Sequence, residues 1–303
     1  MKAIIMTEQI HFQSCPVCGS AAIQNALSAM DHTVSFETFR IDECRSCTLR
    51  FTQDSPGGER RLHYYKSENY ISHTNTSKGL INRLYQVIRK RTMNAKRKLV
   101  EEVSGLRNGN LLDVGSGTGT FASTMQEHGW QVTGLEPDAD ARIVAGKNYN
   151  LHLLEENEIY NLPHHSFDVI TLWHVLEHVE GLAAFMQQLR LLLKGKGSIF
   201  IAVPNYTSYD ASVYKNFWAA YDVPRHLYHF SPESMRVLVE KNGMKIVKYR
   251  PMWYDSFYIS LLSSKNKNKT TRWVTAMWCG IISNFRALFN VKKCSSVIYV
   301  IRN

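Results

Sequence analysis

The segment "LLDVGSGTGTF" (residues 111–121) is the clearest indication of fold class in this 303-residue chain. An apolar strand runs into a loop with glycines at alternate positions, and a helix begins near Thr120. A dinucleotide-binding fold also has Gly-x-Gly after its first strand, but its third glycine comes three residues after the second. The loop therefore indicates an α/β fold with a different ligand. Its glycines are Gly115, Gly117 and Gly119.

Two acidic residues indicate what that ligand is. Asp113 precedes the glycine loop, where a carboxylate would repel a pyrophosphate but would attract an ammonium group. The next apolar run ends in "GLEPD", and an acid at this position, here Glu136, accepts hydrogen bonds from ribose hydroxyls. The two acids therefore indicate a ligand that contains a nucleoside and an ammonium group and that lacks a phosphate. S-adenosylmethionine meets all three requirements.

Short apolar runs alternate with helical segments from Asn110 onward, which predicts a parallel sheet with helices on both faces. We count seven strands, so the sequence predicts a doubly wound, mostly parallel seven-stranded sheet in a domain that spans residues 106–303. Residues 252–292 lie between the last two strands and are predicted to form an inserted helical cap. The runs are "LLDV", "WQVTGLE", "LHLL", "FDVITLW", "SIFIAV", "MKIVKYR" and "SSVIYVIR".

These motifs resemble the class I S-adenosylmethionine-dependent methyltransferases. "LLDVGSGTG" is similar to their first motif, "GLEPD" to their second, and "SFDVITLWHVLEHV" to the fourth-strand region of the ubiquinone-biosynthesis-like branch. The resemblance covers about residues 85–250 and implies a Rossmann-like methyltransferase domain. It implies that the glycine loop approaches the methionine portion of the cofactor and that Asp113 holds its amino group. Glu136, next to Pro137, would bind the ribose.

The resemblance also implies an acid after the third strand that binds the adenine amino group. Glu156 matches this position, with Asn157 beside it at the ring, and Glu158 is an alternative because the alignment is loose there. A solvated acidic loop is the structural alternative for these residues. Trp173, at the end of "FDVITLW", is predicted to line the cofactor mouth.

Four of the six cysteines form two CxxC pairs within residues 11–53. Two such pairs in one short segment indicate zinc rather than disulfides, because each pair directs two thiolates at one ion. The segment is therefore predicted to be a zinc ribbon with a closed, structural site. The predicted ligands are Cys15, Cys18, Cys44 and Cys47.

The sequence "WHVLEHV" (173–179) contains His-x-x-Glu-His, the order found in one class of zinc peptidase. A peptidase motif must lie within a helix, whereas this segment follows a strand, so we reject that function. His174 is instead predicted to line the substrate mouth as a catalytic candidate. The resemblance to ubiquinone-type O-methyltransferases raises the question of a divalent ion at His174, Glu177 and His178, where histidine would favour a softer ion than magnesium.

The segment "YDVPRHLYHF" (221–230) is predicted to face the acceptor. His226 is the predicted general base, because imidazole titrates near neutral pH and can accept a hydroxyl proton. The alternative is that Asp222 and His226 only hold the loop in place. Arg225 could pair with an acidic group of the substrate.

The formal net charge is +10, and seven lysines and arginines lie within residues 83–98. We assign residues 54–105 to a linker followed by this basic helix, which could bind nucleic acid or simply form a solvated face. Residues 273–285 are apolar but too short to span a bilayer. They could cap the active site, which we favour, or make a peripheral membrane contact. The first residues lack a signal-peptide pattern, so we predict a cytoplasmic protein.

The sequence thus predicts an S-adenosylmethionine-dependent methyltransferase that acts on a small hydroxylated acceptor. O-methylation is the first choice, and C-methylation of a sugar is the second. An RNA methyltransferase is an alternative suggested by zinc and positive charge, but no Asn-Pro-Pro-Tyr-like motif is present. The other alternative is a non-catalytic protein that binds a partner through the ribbon and the basic helix.

Overall fold

The computed structural model describes residues 9–65 and 80–303. Its strands are β1 (Gln9–Ile10), β2 (Ile23–Met30), β3 (Thr38–Cys44), β4 (Arg50–Thr52), β5 (Ser55–Pro56), β6 (Gly109–Val114), β7 (Trp130–Leu135), β8 (Phe167–Trp173), β9 (Leu193–Pro204), β10 (Tyr228–His229), β11 (Lys245–Pro251) and β12 (Ser296–Arg302). Its α-helices are α1 (Gly58–Leu62), α2 (Leu80–Ser104), α3 (Thr120–Gln126), α4 (Ala139–Tyr149), α5 (Leu182–Leu192), α6 (Tyr209–Tyr214), α7 (Pro232–Lys241), α8 (Asp255–Asn268) and α9 (Trp273–Phe289).

The largest sheet of the described residues has six strands in the order β11-β12-β9-β8-β6-β7. The strands β7, β6, β8 and β9 are mutually parallel, and β12 and β11 complete the sheet in antiparallel fashion. The order reverses at β6, so the carboxyl ends of β6, β7 and β8 form the edge where ligands bind in such sheets. The predicted doubly wound α/β fold is confirmed.

The predicted count of seven strands is wrong by one, because "LHLL" does not form a full strand. Leu154 makes a single parallel bridge with Leu135. Pro137 follows Glu136 and has no N–H to extend the ladder, and the left-handed residue Asn150 ends α4 just before the segment. The chain then enters a 3₁₀ helix at Glu156, so only one pair of backbone hydrogen bonds forms.

Both faces of the sheet are covered, as doubly wound folds require. Leu111 and Val169 point into one apolar cluster with Val100 of α2, whereas their neighbours Leu112 and Ile170 point into the cluster on the other face. The alternation of neighbouring residues between two cores is why these strands read as continuous apolar runs.

The segment with the two CxxC pairs is joined by strand pairing to the predicted acceptor loop. Strand β10, from the predicted acceptor loop, pairs antiparallel with β4, so the second sheet has the order β10-β4-β3-β2. Residues 54–60, at the start of the segment that we assign to a linker, contain buried β5 paired with β1 and the start of α1. The division of the chain into the three predicted segments stays a prediction.

Two helices, α8 and α9, lie between β11 and β12, where the sequence predicts an insertion. They pack against each other and against α6. Among the described residues, no helix combines the length and the apolar character needed to cross a bilayer.

Candidate functional site

The glycine loop leaves open space above its middle residue. Gly117 has φ +54, and a Cβ built there would meet no heavy atom within 4 Å. Gly119 has φ +78 and begins α3, and a Cβ there would come within 2.9 Å of Ala145 and of Leu151. Gly119 therefore permits the packing of α3 on α4, whereas Gly117 leaves room for a ligand to approach the backbone.

Asp113 is buried at the end of β6, with 1% of its surface exposed. The Thr171 hydroxyl donates a 2.7 Å hydrogen bond to its Oδ1. Burial raises the pKa of Asp113 to about 6, although hydrogen bonds from Thr171 and Ser116 and the charge of Lys96 oppose the rise. A buried carboxylate that lacks a full set of partners strongly favours a cationic ligand.

Lys96 is a residue of this site that the sequence reading counted only as part of the basic helix. Its Nζ lies 4.4 Å from the centroid of the Trp173 ring. Burial lowers the pKa of Lys96 to about 8, and the charges of Asp255 and Asp113 limit the decrease. The site therefore combines a partly buried cation with the buried carboxylate of Asp113.

Glu136 lies beside the glycine loop at the end of β7. Its Oε2 accepts a 2.7 Å hydrogen bond from Gly117 N, and its Oε1 accepts one of 3.0 Å from Asp138 N. Burial raises the pKa of Glu136 despite these two bonds, and the charge of Glu156 adds to the rise. Glu156 is therefore close enough to Glu136 to border the same site.

The remaining residues of the predicted adenine end differ in exposure. Glu156 is partly buried, and burial raises its pKa against the opposing charge of Arg61. Asn157 and Pro137 are exposed. Glu158 is also exposed and accepts a 3.1 Å hydrogen bond from the Asn161 side chain, which favours Glu156 over Glu158 as the adenine acid.

Trp173 ends β8 beneath Lys96. Its ring packs edge-on against Phe121, with centroids 5.3 Å apart. Its indole N–H is buried and has no hydrogen-bond partner among the described residues. A ligand oxygen could satisfy this donor, so Trp173 fits the predicted place at the cofactor mouth.

His174 follows Trp173 and is held between two carboxylates. Its Nε2 lies 2.9 Å from Asp255 Oδ2, and its Nδ1 lies 3.3 Å from Glu177 Oε1. Burial favours the neutral ring, but the two carboxylates outweigh it and raise the pKa of His174 to about 10. An imidazolium does not accept a proton, so this environment favours a positioning role in which His174 ties β8 to the first residue of α8. The predicted catalytic role of His174 stays a prediction.

His178 and His226 lie against each other, with ring centroids 4.5 Å apart. The Nδ1 of His178 is 3.1 Å from the Arg225 carbonyl oxygen, and that of His226 is 2.9 Å from the Ala220 carbonyl oxygen. A carbonyl oxygen only accepts, so in each ring Nδ1 carries the proton and Nε2 has the lone pair. Burial and the positive charges nearby hold the pKa of His178 well below its usual value.

These lone pairs are available to bind the divalent ion that the resemblance implies. The chelating atoms of Glu177, His178 and His226 lie within 4.8 Å of one another. Glu177 Oε2 is buried and has no partner in the described part of the chain. Histidine ligands whose second nitrogen donates to a carbonyl are typical of metal sites. The residues fit an ion, with His226 in the place that the sequence reading gave to His174.

The acceptor loop is anchored by a buried ion pair network. Arg225 is 1% exposed and binds Asp222, Asp31 and the Tyr64 carbonyl oxygen, with its Nη2 2.7 Å from Asp222 and 2.9 Å from Asp31. Its donors are committed to the protein, so Arg225 does not face a substrate. It instead joins the loop to the end of β2, because Asp31 follows that strand.

The four cysteines of the ribbon form one cluster. Cys15 Sγ lies 3.5 Å from Cys47 Sγ, and Cys18 Sγ lies 3.4 Å from Cys44 Sγ. A tetrahedral zinc site with Zn–S bonds of about 2.3 Å needs sulfur atoms about 3.8 Å apart, so the cluster is compatible with structural zinc. The two turns share one geometry: residues Gly19 and Thr48 both have positive φ, and Thr48 is held by a 2.7 Å hydrogen bond to Ser231.

We expect elemental analysis to find one zinc ion per chain and Cys44→Ser to abolish zinc binding, because three thiolates leave the tetrahedral site incomplete. The midpoint of thermal unfolding should fall as well, since Cys44 lies in the main apolar core. The control is Cys279→Ser, which removes a buried thiol outside the cluster and should leave the zinc content unchanged. Purified wild-type protein without zinc would contradict the assignment.

Comparisons with known proteins agree with this geometry. A family model described as a methyltransferase domain matches residues 85–249, which is more than half of the chain. The mitochondrial ubiquinone biosynthesis O-methyltransferase of Rattus norvegicus is 28% identical over 171 residues, which cover 51% of this chain and 49% of that enzyme. The ubiquinone biosynthesis O-methyltransferase of Sodalis glossinidius is 32% identical over 120 residues, covering 35% of this chain and 46% of that enzyme.

The chain thus spans about half the length of the curated relatives it matches. Among solved structures, magnesium protoporphyrin IX methyltransferase from Synechocystis PCC 6803 superposes with a TM-score of 0.51 at 14% identity, over 79% of this chain and 97% of that one. This likeness concerns the fold alone. The glycine loop, the two strand-end acids and the family match lead to one conclusion: the chain belongs to the class I S-adenosylmethionine-dependent methyltransferases.

Proposed function

We propose that the protein transfers the methyl group of S-adenosylmethionine to a hydroxyl group of a small acceptor. The observation that carries this proposal is the pair of opposite charges at the end of β6. Asp113 offers a buried carboxylate, and Lys96 offers a partly buried ammonium over Trp173. Together they match the ammonium and the carboxylate of the methionine portion of the cofactor.

The ribose and adenine would extend from this pair along the ends of β6 and β7. A carboxylate has about four acceptor positions, and Glu136 uses two of them on Gly117 and Asp138, so it retains capacity for ribose hydroxyls. Glu156 stands beyond Glu136 for the adenine amino group. The sulfonium would then lie near Trp173, on the side of the acceptor loop.

His226 is the group that we propose to accept the proton of the acceptor hydroxyl. Its Nδ1–H donates to Ala220, which fixes the ring and leaves the Nε2 lone pair beside His178. The low pKa of His178 keeps that neighbouring ring neutral, so it does not repel a proton arriving at His226. Much of the acceleration comes from positioning, since the sulfonium already carries an activated methyl group.

A divalent ion held by Glu177, His178 and His226 is the alternative way to activate the acceptor, because the Nε2 lone pair of His226 either accepts the proton or binds the ion. When bound, such an ion lowers the pKa of a hydroxyl group that contacts it. Two histidines and one carboxylate suit a first-row transition metal better than magnesium. His174 takes no part in this set, because both its ring nitrogens already have carboxylate partners.

The two alternative functions are not favoured. The relatives are named as O-methyltransferases of ubiquinone biosynthesis, which supports a hydroxylated small molecule over RNA. In the described side chains of the basic helix, Lys96 faces the cofactor site and Arg97 pairs with Glu101 at 2.6 Å. Fewer cations are therefore available to bind nucleic acid than the sequence suggests. A non-catalytic scaffold would not need the buried charge of Asp113 beside the partly buried charge of Lys96.

The proposal is tested by a methyl-transfer screen with radiolabelled S-adenosylmethionine against phenols, catechols, sugars, lipids and RNA. We expect label in small hydroxylated acceptors, released from them by reagents that cleave methyl ethers. Label found only in RNA, or on carbon atoms of a sugar, would contradict O-methylation of a small acceptor while leaving the cofactor assignment intact.

The pKa values of Asp113 and Lys96 predict how the affinity for S-adenosylhomocysteine depends on pH. Asp113 loses its charge as the pH falls through about 6, and Lys96 loses its charge as the pH rises through about 8. Calorimetric affinity should therefore be greatest between these values and fall on both sides, approaching tenfold per unit on the acid side. Lys96→Met should remove the alkaline decrease selectively. A flat profile between pH 5 and 7 would show that Asp113 does not hold the ammonium group.

A further inference from the structure

The outer face of helix α9 carries large apolar side chains. Those of Trp278, Phe285 and Phe289 are 60%, 56% and 79% exposed. A helix at a protein surface normally directs such residues inward. Here the inward positions hold small residues instead, which are Ala276, Cys279, Gly280, Ser283 and Ala287. The apolar outer face is therefore not explained by packing within the chain.

Helix α8 and the turn before it also expose large apolar side chains and bury small ones. The exposed residues include Tyr258 and Leu262 on the helix and Trp253 and Tyr254 just before it. The buried positions of the helix are mostly serines: Ser256, Ser260, Ser263 and Ser264. We call the exposed apolar residues of 253–289 the cap face. An exposed apolar surface of this extent on one continuous segment of the chain marks an interaction site.

From Ser256 onward, the charged residues of the segment that carries the cap face have a single sign. The sequence from Ser256 to Asn303 contains eight lysines and arginines and no aspartate or glutamate. Exposed Lys265, Lys267, Lys269 and Arg272 precede α9, and exposed Lys292 and Lys293 follow it. The apolar stripe is therefore bordered by cations at both ends, which is complementary to an anionic surface.

A cavity of about 380 Å³ opens at the carboxyl end of α9. Arg286 and Lys293 supply positive charge, Ser212 supplies a hydroxyl group, and Phe285 and Phe289 form apolar walls. The Arg286 guanidinium is held 4.3 Å above the Tyr209 ring, which fixes its position. Cations beside an apolar wall suit a phosphate head group with its acyl chains alongside.

We propose that the cap face docks the protein on the surface of an anionic phospholipid bilayer, with α9 lying in the plane of the interface. The helix has 17 residues and is about 25 Å long, sufficient for a surface anchor. A second copy of the chain is a poorer occupant, because a symmetric contact would bring two cationic borders together. This inference does not depend on methyl transfer, and its test uses neither cofactor nor acceptor.

The test is flotation of the full chain with vesicles of pure phosphatidylcholine and with vesicles containing about a third phosphatidylglycerol. We expect at least tenfold stronger binding to the anionic vesicles and a marked loss of binding in high salt. The double variant Trp278→Glu/Phe285→Glu should lose the binding. Its control is Ile143→Glu, which places a charge at another exposed apolar residue, 53% exposed on α4, and should bind as the wild type does.

Circular dichroism and the thermal midpoint establish that each variant is folded, which is expected because the replaced side chains are exposed. The proposal is overturned if the wild type does not float with anionic vesicles, or if the double variant floats equally well. It is also overturned if sedimentation shows a dimer that the double variant dissociates while vesicles bind neither protein. In that case a second copy covers the cap face.

Discussion

Replacing Asp113 with asparagine is expected to weaken the binding of S-adenosylhomocysteine by about 100-fold, or about 3 kcal/mol, because a buried ammonium loses its charged partner. Asparagine keeps the shape of the side chain and can still accept the 2.7 Å hydrogen bond from Thr171. The loss should therefore reflect charge rather than misfolding. Isothermal titration calorimetry at pH 7 measures it directly.

The matched control for this prediction is Asp140→Asn, which removes the charge of an exposed aspartate in the first turn of α4. It should change the affinity by less than twofold. If Asp113→Asn binds as tightly as the wild type, the ammonium group lies elsewhere. Equal losses in both variants would point to net charge rather than to a specific contact.

His226→Gln is expected to lower methyl transfer by a factor of about 10² to 10⁴, the range for removal of a positioned general base. The affinity for S-adenosylhomocysteine should stay within twofold of wild type, because His226 lies on the acceptor side. Single-turnover rates with a labelled cofactor and an acceptor from the screen measure the first effect. Calorimetry measures the second.

The control for His226→Gln is His128→Gln, which replaces an exposed histidine after α3. It should leave the rate unchanged. A chelator distinguishes the two roles of His226: loss of wild-type activity with a chelator, restored by a transition metal, would assign His226 to the metal set with Glu177 and His178. A full rate in His226→Gln would show that positioning alone carries the reaction.

The sequence predicted those parts of the fold that depend on local pattern. The strand, glycine loop and helix at residues 111–121 form as expected, because all three glycines adopt the positive φ that favours this residue type. The prediction of a strand at "LHLL" was wrong because a short apolar run does not show where its backbone pairing ends. The pairing of β4 with β10 joins residues about 180 apart in the sequence, which no local pattern could reveal.

The candidate site was predictable where the motif itself supplies the chemistry, as for Asp113 and Glu136. Lys96 was missed because it looked like one cation among many. A signal was present, since Lys96 lies on the apolar stripe of α2 that includes Met93 and Val100. The Asp255 partner of His174 was not predictable, because Asp255 belongs to the inserted helices and is 81 residues away in the sequence.

The acceptor side shows the same limit. Asp222, Arg225 and His226 are adjacent in sequence and all polar, so residue type cannot distinguish anchor from catalyst. In the structure their partners differ: Arg225 donates to two carboxylates and a backbone carbonyl, whereas His226 Nδ1 contacts the Ala220 carbonyl oxygen and its Nε2 lies 3.9 Å from Asp222. Roles can be assigned to such residues only from the tertiary structure, because the residues differ in their surroundings and not in their sequence pattern.

A crystal structure of the protein with S-adenosylhomocysteine would locate each end of the cofactor and so test its proposed binding mode. We predict its ammonium group within hydrogen-bond distance of Asp113, its carboxylate beside Lys96, and its ribose hydroxyls on Glu136. The sulfur atom should then face the loop that carries His226. A ligand bound elsewhere, or bound here with its ammonium group away from Asp113, would contradict the account.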